Sequence, residues 1–532
     1  MASVRVCCVT AFWCLTLLGS QQSHADALEA RLAWRMRPQV ETVEIAAIDQ
    51  SSQRLFVTTE QGIVNLRLSD GQLANERLPV PAGYHATSVA ASGGRIALAL
   101  AAEDKRQAGR IDLFESATGE YLTTFPAGSH PDMVCFTPNG RYLLCANEGE
   151  PTDAYDYDGE GSVTVVDLAG SHDLAAAKVS LCEFTEFNSQ AEQLRQRGVR
   201  LFGPSQSRPD GHATVAEDLE PEYITCSPDS RRAWVTLQEN NAIAEIDLAT
   251  ARVTAIHPLG EKDFRHVPVG LAGNPAYATT GLDASDADEH LQVQLWPVKA
   301  SYEPDAIASF QHEGQNYLVT ANEGDPREYA AYHEAAPACE LIKLKQKWDD
   351  RAAARHLMQP EYLGRLQVCI DQCDPDGDGD IDELHAFGTR SFSVWRASEG
   401  KLELVFDSGS DFERVLAMRA IHDALPTELV DNRSHVRGPE PEGVVLGEIA
   451  GRRYAFIGLE RASGVMVYDL TEPLSPTFCC YIPPAEEKGL KDISPEGLVF
   501  VPADESPTRG AMLVVANEFS ATVTAYDLRL SK

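Results

Sequence analysis

The sequence predicts an all-β chain, a seven-bladed β-propeller with helical and calcium-loop insertions. Three observations lead there. A two-strand unit recurs seven times, a third apolar run follows most copies, and Gly, Pro, Asp or Asn marks the turns between them. β-branched runs bounded by such residues read as antiparallel strands, and self-similarity of this length marks a repeat architecture.

Each unit opens on an acidic or small polar residue and closes on Glu. The copies run Glu44 to Glu60, Ser88 to Glu103, Asp132 to Glu148, Glu222 to Glu239, Asp305 to Glu323, Glu442 to Glu460 and Glu496 to Glu518. The third runs are GIVNLRL, GRIDLF, GSVTVVDL, NAIAEIDL, GVMVYDL and ATVTAYDL. Units of three or four strands arranged radially protect their sheet edges, so residues 28–530 are expected to form one propeller. The segment from Leu28 to Val43 is expected to supply an outer strand that closes the ring on the last blade. The openings Glu44 and Ser88 stand 44 residues apart, and later intervals are longer, so insertions are expected at about 171–218 and 327–385. The first contains SHDLAAAKVSLCEFTEFNSQAEQLRQRG and the second REYAAYHEAAPACELIKLKQKWDDRAAARHL, both read as helical.

Residues 1–25 combine Arg5, an apolar run from Val6 to Leu18 and the small-residue site Ser23-His24-Ala25. That is the pattern of a cleavable signal peptide. No second apolar stretch is long enough to span a bilayer, and the C-terminus reads as unanchored, so a secreted or periplasmic location is expected. Nine of the 12 cysteines lie beyond the signal segment, an odd number that leaves at least one thiol unpaired. Cys369 with Cys373 is the expected bridge, with Cys339 as competitor, while Cys135, Cys145 and Cys226 are expected to be buried thiols. The formal charge of −35 opposes nucleic acid and anionic membranes and favours cations.

The sharpest local motif is Asp374-Pro-Asp376-Gly-Asp378-Gly-Asp380-Ile-Asp382-Glu383. Alternating carboxylates, Gly at the sixth place and Ile at the eighth match the start of an EF-hand calcium loop. The twelfth place is His385 rather than Glu, and AFGTRSFSVW reads as a strand rather than the second helix. Asp374, Asp376, Asp378, Asp380 and Asp382 are expected calcium ligands, with Glu383 or a more distant residue as the bidentate one.

The repeat carries the second expectation. If the acid opens the first strand and Glu closes the antiparallel second strand, both stand at the same end of a hairpin. The first strand of each propeller blade lines the central channel. Glu44, Asp132, Glu222, Asp305, Glu442 and Glu496 should therefore approach one rim, with Glu148, Glu239, Glu323, Glu460 and Glu518 one strand further out. So many carboxylates near one axis need compensation by cations, Arg or water. Oxygen ligands without His or Cys select calcium, with magnesium or another divalent ion as the alternative at the axial site. The plainer reading is that these residues cap turns between blades. The runs Ala146-Asn-Glu-Gly-Glu150, Ala321-Asn-Glu-Gly-Asp325 and Ala516-Asn-Glu518 add Asn and Gly beside the Glu, and so further oxygen ligands. Arg390, Arg433 and Arg437 are the nearby cations in sequence. Arg390 or Arg433, with Glu323, is the candidate catalytic set should a metal and arginine clamp a phosphate. No nucleophile elbow, HExxH, phosphate-binding loop or paired CxxC is present.

At ATVAEDLEPEYI, GLDASDAD, YLVTANEGDPREY, DPDGDGDIDELHAFGTRSFSVW, GPEPEGVVLGEIAGRRYAFIGLERASGVMVYDL and ISPEGLVF the chain resembles the choice-of-anchor I family. The resemblance implies an exported, calcium-linked seven-bladed propeller. The family includes proteins called atypical alkaline phosphatases and mesenchyme-specific cell-surface glycoproteins, so no single activity follows. The chain is expected to depart from the family pattern in an unanchored C-terminus, and it carries the SQSRPDGH insertion. The leading functional expectation is a calcium-binding propeller acting by binding to a partner, an extracellular polymer or a mineral surface. The alternatives are a metal-dependent, alkaline phosphatase-like phosphoesterase acting on a phosphate ester and, more weakly, a lactonase-like propeller hydrolase.

Overall fold

The structure is a computed structural model that describes residues 28–531 except 75–76, 170–173, 207, 209–210, 266–279, 289, 346–355, 375–380 and 424–430. The expected signal peptide and Asp376, Asp378 and Asp380 lie outside the described residues.

The seven copies of the repeat fold as seven successive antiparallel sheets, six of four strands and one of three. Their inner strands are Ala46–Asp49, Tyr84–Ser92, Pro131–Phe136, Pro221–Cys226, Ile307–His312, Pro441–Ile449 and Pro495–Val501. Each inner strand packs against the inner strand of the next sheet, and the seventh packs back on the first. This is an all-β molecule with β-propeller architecture. Leu28–Met36 pairs antiparallel with Thr522–Leu530, from Leu28 opposite Leu530 to Met36 opposite Val523. The N-terminal segment thus completes the last sheet, as expected.

The second strands are continuous apolar runs because both their faces are covered by neighbouring sheets. Ile96, Ala97, Leu98, Ala99, Leu100 and Ala101, for example, have no exposed surface. The core is therefore distributed between sheets. Leu144 and Val163 of the third sheet share a core cluster with Val235 and Ala244 of the fourth, and each fully buried Leu or Val contributes roughly 1.5–3 kcal/mol.

The insertions are less helical than expected. Lys178–Glu183, inside the first predicted helical stretch, pairs with Ser162–Asp167 as the outer strand of the third sheet. Among the described residues helix is confined there to the 3-10 segments Leu174–Ala176 and Thr185–Gln190, followed by two short α-helices, Ala191–Arg197 and Val215–Asp218. Gly198, left-handed at φ 98°, ends the helix Ala191–Arg197. In the second insertion Ala338–Lys345 is helical, but Glu328–Tyr329 pairs with Tyr332–His333 and Ala335–Pro337 with Gln367–Cys369. The helix Asp411–Asp423 has no counterpart in the sequence reading. Among the described residues no helix is long and apolar enough to cross a membrane.

Cys369 and Cys373 are both buried and carry no disulfide. Cys369 Sγ lies instead 3.5 Å from an Arg200 guanidinium nitrogen and 3.6 Å from a Glu334 carboxylate oxygen. Cys145 is buried as expected, while Cys135 and Cys226 are half-buried.

Candidate functional site

A recurring backbone turn aims the acidic residues. Two positions before the opening acid, His130, Glu303, Glu440 and Ser494 adopt φ of 47°, 43°, 52° and 65°. Left-handed backbone at non-glycine residues costs roughly 1–3 kcal/mol each and persists only where surroundings enforce it. Here the twisted residue's carbonyl accepts a hydrogen bond from the end of the second strand. Glu148 N donates to His130 O at 2.9 Å, Gly324 N to Glu303 O at 3.0 Å, Glu460 N to Glu440 O at 2.8 Å and Glu518 N to Ser494 O at 2.7 Å. The opening acid and the closing Glu are thereby fixed at the same end of each hairpin.

These ends surround a cavity of about 480 Å³ at the centre of the ring. Of the expected rim residues, Glu44, Asp132, Glu222, Asp305, Glu442 and Glu496 all line it, and Ser88 holds the equivalent place in the second sheet. Of the outer set, Glu148, Glu323 and Glu460 also line it, together with Asp325. Against these ten carboxyl groups the lining offers one arginine, Arg461, and one histidine, His85. Glu60, Glu103, Glu239 and Glu518 are not among the lining residues. Glu60 accepts from the amides of Glu41 and Thr42 at 3.0 Å, and Glu518 faces Ser494 Oγ at 3.3 Å. In the first copy the turn-capping reading holds, since Glu60 bonds backbone amides.

Crowding suppresses ionisation. Burial, then the Glu518 charge, pushes the Glu44 carboxyl up to about 7. Burial and the Asp132 and Glu460 charges take Asp305 to about 8. Burial and Glu150 raise Asp132 to about 6 against the pull of His130. Burial and neighbouring carboxylates hold Glu148, Glu222, Glu239, Glu323, Glu442 and Glu496 well above the ordinary range. Glu150 goes the other way, to about 2, because His130 and Lys105 outweigh its burial. Four trios bring ligand atoms within 4.8 Å of one another: His130, Glu148 and Glu150; Glu148, Glu222 and Glu239; Asp305, Glu323 and Glu442; Glu323, Glu440 and Glu460. One carboxylate oxygen each of Glu222, Glu239 and Glu442 is buried with no hydrogen-bond partner among the described residues. Hard oxygen donors held in threes, with unsatisfied oxygens among them, fit calcium or magnesium.

Behind the well stands a layer that the sequence reading missed. Glu220, Glu303 and Glu440 are buried, and each binds arginine. Arg327 reaches Glu220 at 2.9 Å and Asp218 at 3.1 Å. Arg200 pairs with Glu303 and Glu334. Glu440 takes Arg433 at 2.7 Å, Arg437 at 3.0 Å and Arg461 at 3.3 Å. The available signal was Glu-Pro-acid, present three times as Glu220-Pro-Glu222, Glu303-Pro-Asp305 and Glu440-Pro-Glu442.

Three expectations need correction. Arg390 does not line the cavity. It is 2% exposed and binds the Glu413 carboxylate and the Ser434 carbonyl, both at 2.7 Å, so it is not free to receive a phosphate. Arg433 also stays outside the lining and is committed to Glu440. The Asn residues beside the closing Glu are not ligands either. Asn147 accepts from Gly128 N at 3.0 Å and donates to Thr164 Oγ1 at 3.0 Å, Asn322 donates to Ser393 Oγ at 2.8 Å, and Asn517 donates to Thr522 O at 3.2 Å. They tie second strands to third strands.

At the acidic loop, Asp374, Asp382 and Glu383 frame the three aspartates outside the described residues. Glu383 faces Lys299 and lies 3.6 Å from His385 Nε2. No helix follows. Leu384–Ala386 pairs in parallel with Val298–Ser301, which buries His385.

Glu323 depends on a glycine contact. Gly324 and Gly388 are left-handed at φ 88° and 66°, and a Cβ on Gly388 would stand 2.0 Å from the Glu323 carbonyl oxygen. Gly388→Ala is expected to destabilise by at least about 1–3 kcal/mol from backbone strain and to displace Glu323. Urea unfolding with and without calcium checks both effects.

A model of the choice-of-anchor I domain matches residues 44–473. The chain belongs to the choice-of-anchor I family. Within this choice-of-anchor I chain, 326 residues are 28% identical to the mesenchyme-specific cell surface glycoprotein of Strongylocentrotus purpuratus, covering 55% of this chain and 40% of that protein. The match therefore spans about two fifths of the glycoprotein's length. Gigasin-3a of Magallana gigas is 26% identical over 203 residues, 34% of this chain and 70% of gigasin-3a. Among solved structures, Kuenenia stuttgartiensis hydrazine synthase superposes with TM-score 0.45 at 11% identity, covering 93% of this choice-of-anchor I chain and 98% of the other. The Cps50 (Swd1) β-propeller domain of Myceliophteria thermophila gives 0.43 at 8%, covering 94% and 99%.

Proposed function

We propose that this choice-of-anchor I protein is an exported seven-bladed propeller that binds calcium in its axial well and acts by binding rather than by catalysis. The observation that carries this reading is the well itself, in which ten carboxyl groups face one arginine and one histidine. Such a site is either protonated or filled by cations, and a hard divalent ion satisfies several carboxylates at once. Calcium held at the mouth of a well keeps coordination positions for outside oxygens, those of an acidic polymer, a carbonate or phosphate surface, or a partner's carboxylates. The cell-surface name of the sea-urchin relative agrees with an exported role. The acidic loop at Asp374 to Glu383 is proposed as a second, separate calcium site.

The test is calorimetric titration of calcium into chelator-treated protein, alongside hydrolysis of p-nitrophenyl phosphate. Saturable calcium binding with no chelator-sensitive turnover is expected. Absence of binding, with a melting temperature indifferent to calcium, would remove the reading. Chelator-sensitive turnover lost in Glu323→Gln would replace it with the phosphoesterase.

A further inference from the structure

The repeat places a closing Glu in every sheet, yet the copies differ in what neutralises them. Glu60 accepts two backbone amides. Glu460 pairs with Arg461 at 3.1 Å and accepts from Ser494 Oγ at 3.1 Å. Glu323 lies 3.6 Å from Arg437 and accepts from Gln238 at 3.0 Å. Glu518 faces Ser494.

Between the third and fourth sheets this compensation is missing. Glu148 follows the second strand of the third sheet, Glu222 lies in the inner strand of the fourth, and Glu239 follows that sheet's second strand. Their carboxylates offer three oxygens within 4.8 Å of one another. Among the described residues, no Lys or Arg forms an ion pair with any of the three. The nearest imidazole, His130 Nδ1, stands 3.8 Å from Glu148 and 2.8 Å from Glu150, which it serves first. Arg327 acts on Glu239 only at longer range, since its short contacts go to Glu220 and Asp218. Glu239 is 5% exposed, and its Oε2 has no hydrogen-bond partner among the described residues; Glu222 Oε2 is in the same state. An unsatisfied, deeply buried carboxylate oxygen beside two further carboxylates is a costly arrangement for a protein to keep unless a ligand completes it.

We propose that the trio Glu148, Glu222 and Glu239 is the tightest divalent-cation position at the well, set off the axis between the third and fourth sheets, where Glu148 and Glu222 line the cavity and Glu239 stands outside its lining. The inference rests on the calcium-binding reading above. Three carboxylates supply three to six oxygens at one point, suited to calcium and leaving the remaining positions to water or an outside oxygen ligand. The Gln238 side chain, next to Glu239 in sequence, donates to Glu323 in the neighbouring trio. Filling the first position therefore bears directly on the second.

The experiment titrates calcium, and separately terbium as a luminescent probe, into full-length mature protein as wild type, Glu239→Gln and Glu460→Gln. Glu239→Gln is expected to weaken the highest-affinity step at least tenfold, and Glu460→Gln less than threefold. Without calcium, Glu239→Gln is expected to melt at or above the wild-type temperature, because an amide replaces one of three crowded carboxyl groups that have no Lys or Arg partner among the described residues. A Glu239→Gln variant that binds calcium like wild type, or that loses no more affinity than Glu460→Gln, overturns the assignment while leaving the well's calcium binding intact. A variant that melts lower than wild type in chelator also overturns it, since Glu239 would then be a structural partner. Wild type that binds no calcium overturns the parent reading instead.

Discussion

Replacing Arg200 with alanine is expected to destabilise the protein by about 3–5 kcal/mol, because breaking a buried ion pair leaves an uncompensated charge behind. Arg200 is 2% exposed and its guanidinium joins Glu303 and Glu334, while one of its nitrogens also donates to the Glu239 carbonyl. Its backbone amide bonds the Asn240 carbonyl at 3.0 Å. One side chain thus ties the first insertion, the turn that carries Glu239 and the left-handed residue that aims Asp305. Arg200→Lys keeps the charge but loses the planar fork, and should recover only part of the loss. Thermal melts of the two variants check this. Equal melting temperatures for wild type and Arg200→Ala would show that the buried layer does not hold the well.

The second large effect is on pH and calcium together. Glu44 rises from 4.5 to about 7, Asp132 from 3.8 to about 6 and Asp305 from 3.8 to about 8 on folding. The folded state therefore holds protons that the unfolded chain releases. The sign follows: these groups add stability below the unfolded values near pH 4, and that contribution is lost as pH rises through about 6 to 8. On the proposed calcium reading, the ion would bind the deprotonated carboxylates and offset the loss, by about 2.7 kcal/mol at a hundredfold excess over Kd. The expected result is a melting temperature that falls from about pH 5 to about pH 9 in chelator, and a calcium-dependent gain that is small at about pH 5 and largest above about pH 8. A calcium gain independent of pH would contradict the carboxylate origin of binding.

Much of this was legible in the sequence because the repeat is written in strand periodicity. Runs such as IALALAA and YLLCAN are second strands buried on both faces, and the flanking acid and Glu fall at one hairpin end by register alone. The closing strand Leu28–Met36 lies within the segment Leu28 to Val43 that was expected to complete the last blade. What escaped was set by tertiary partners. KVSLCE resembles part of a helix until Ser162–Asp167 offers an edge to pair with. Arg390 and Arg433 looked available beside acidic motifs, but their partners Glu413 and Glu440 come from a helix and a turn whose contacts no local pattern encodes. Asn147 and Asn322 looked like ligands beside Glu, and their amides turn inward to bond the neighbouring strand. The buried Glu220, Glu303 and Glu440 were visible as Glu-Pro-acid triplets, but their role appears only with the arginines in place.

The most direct test of the axial cation site is a crystal structure determined at about pH 8 in calcium, with anomalous data. The expected result is an ion at the well with carboxylate oxygens of Glu148, Glu222 and Glu239 at about 2.3–2.6 Å. A well holding only ordered water, with those carboxylates hydrogen-bonded to one another through shared protons, would contradict it.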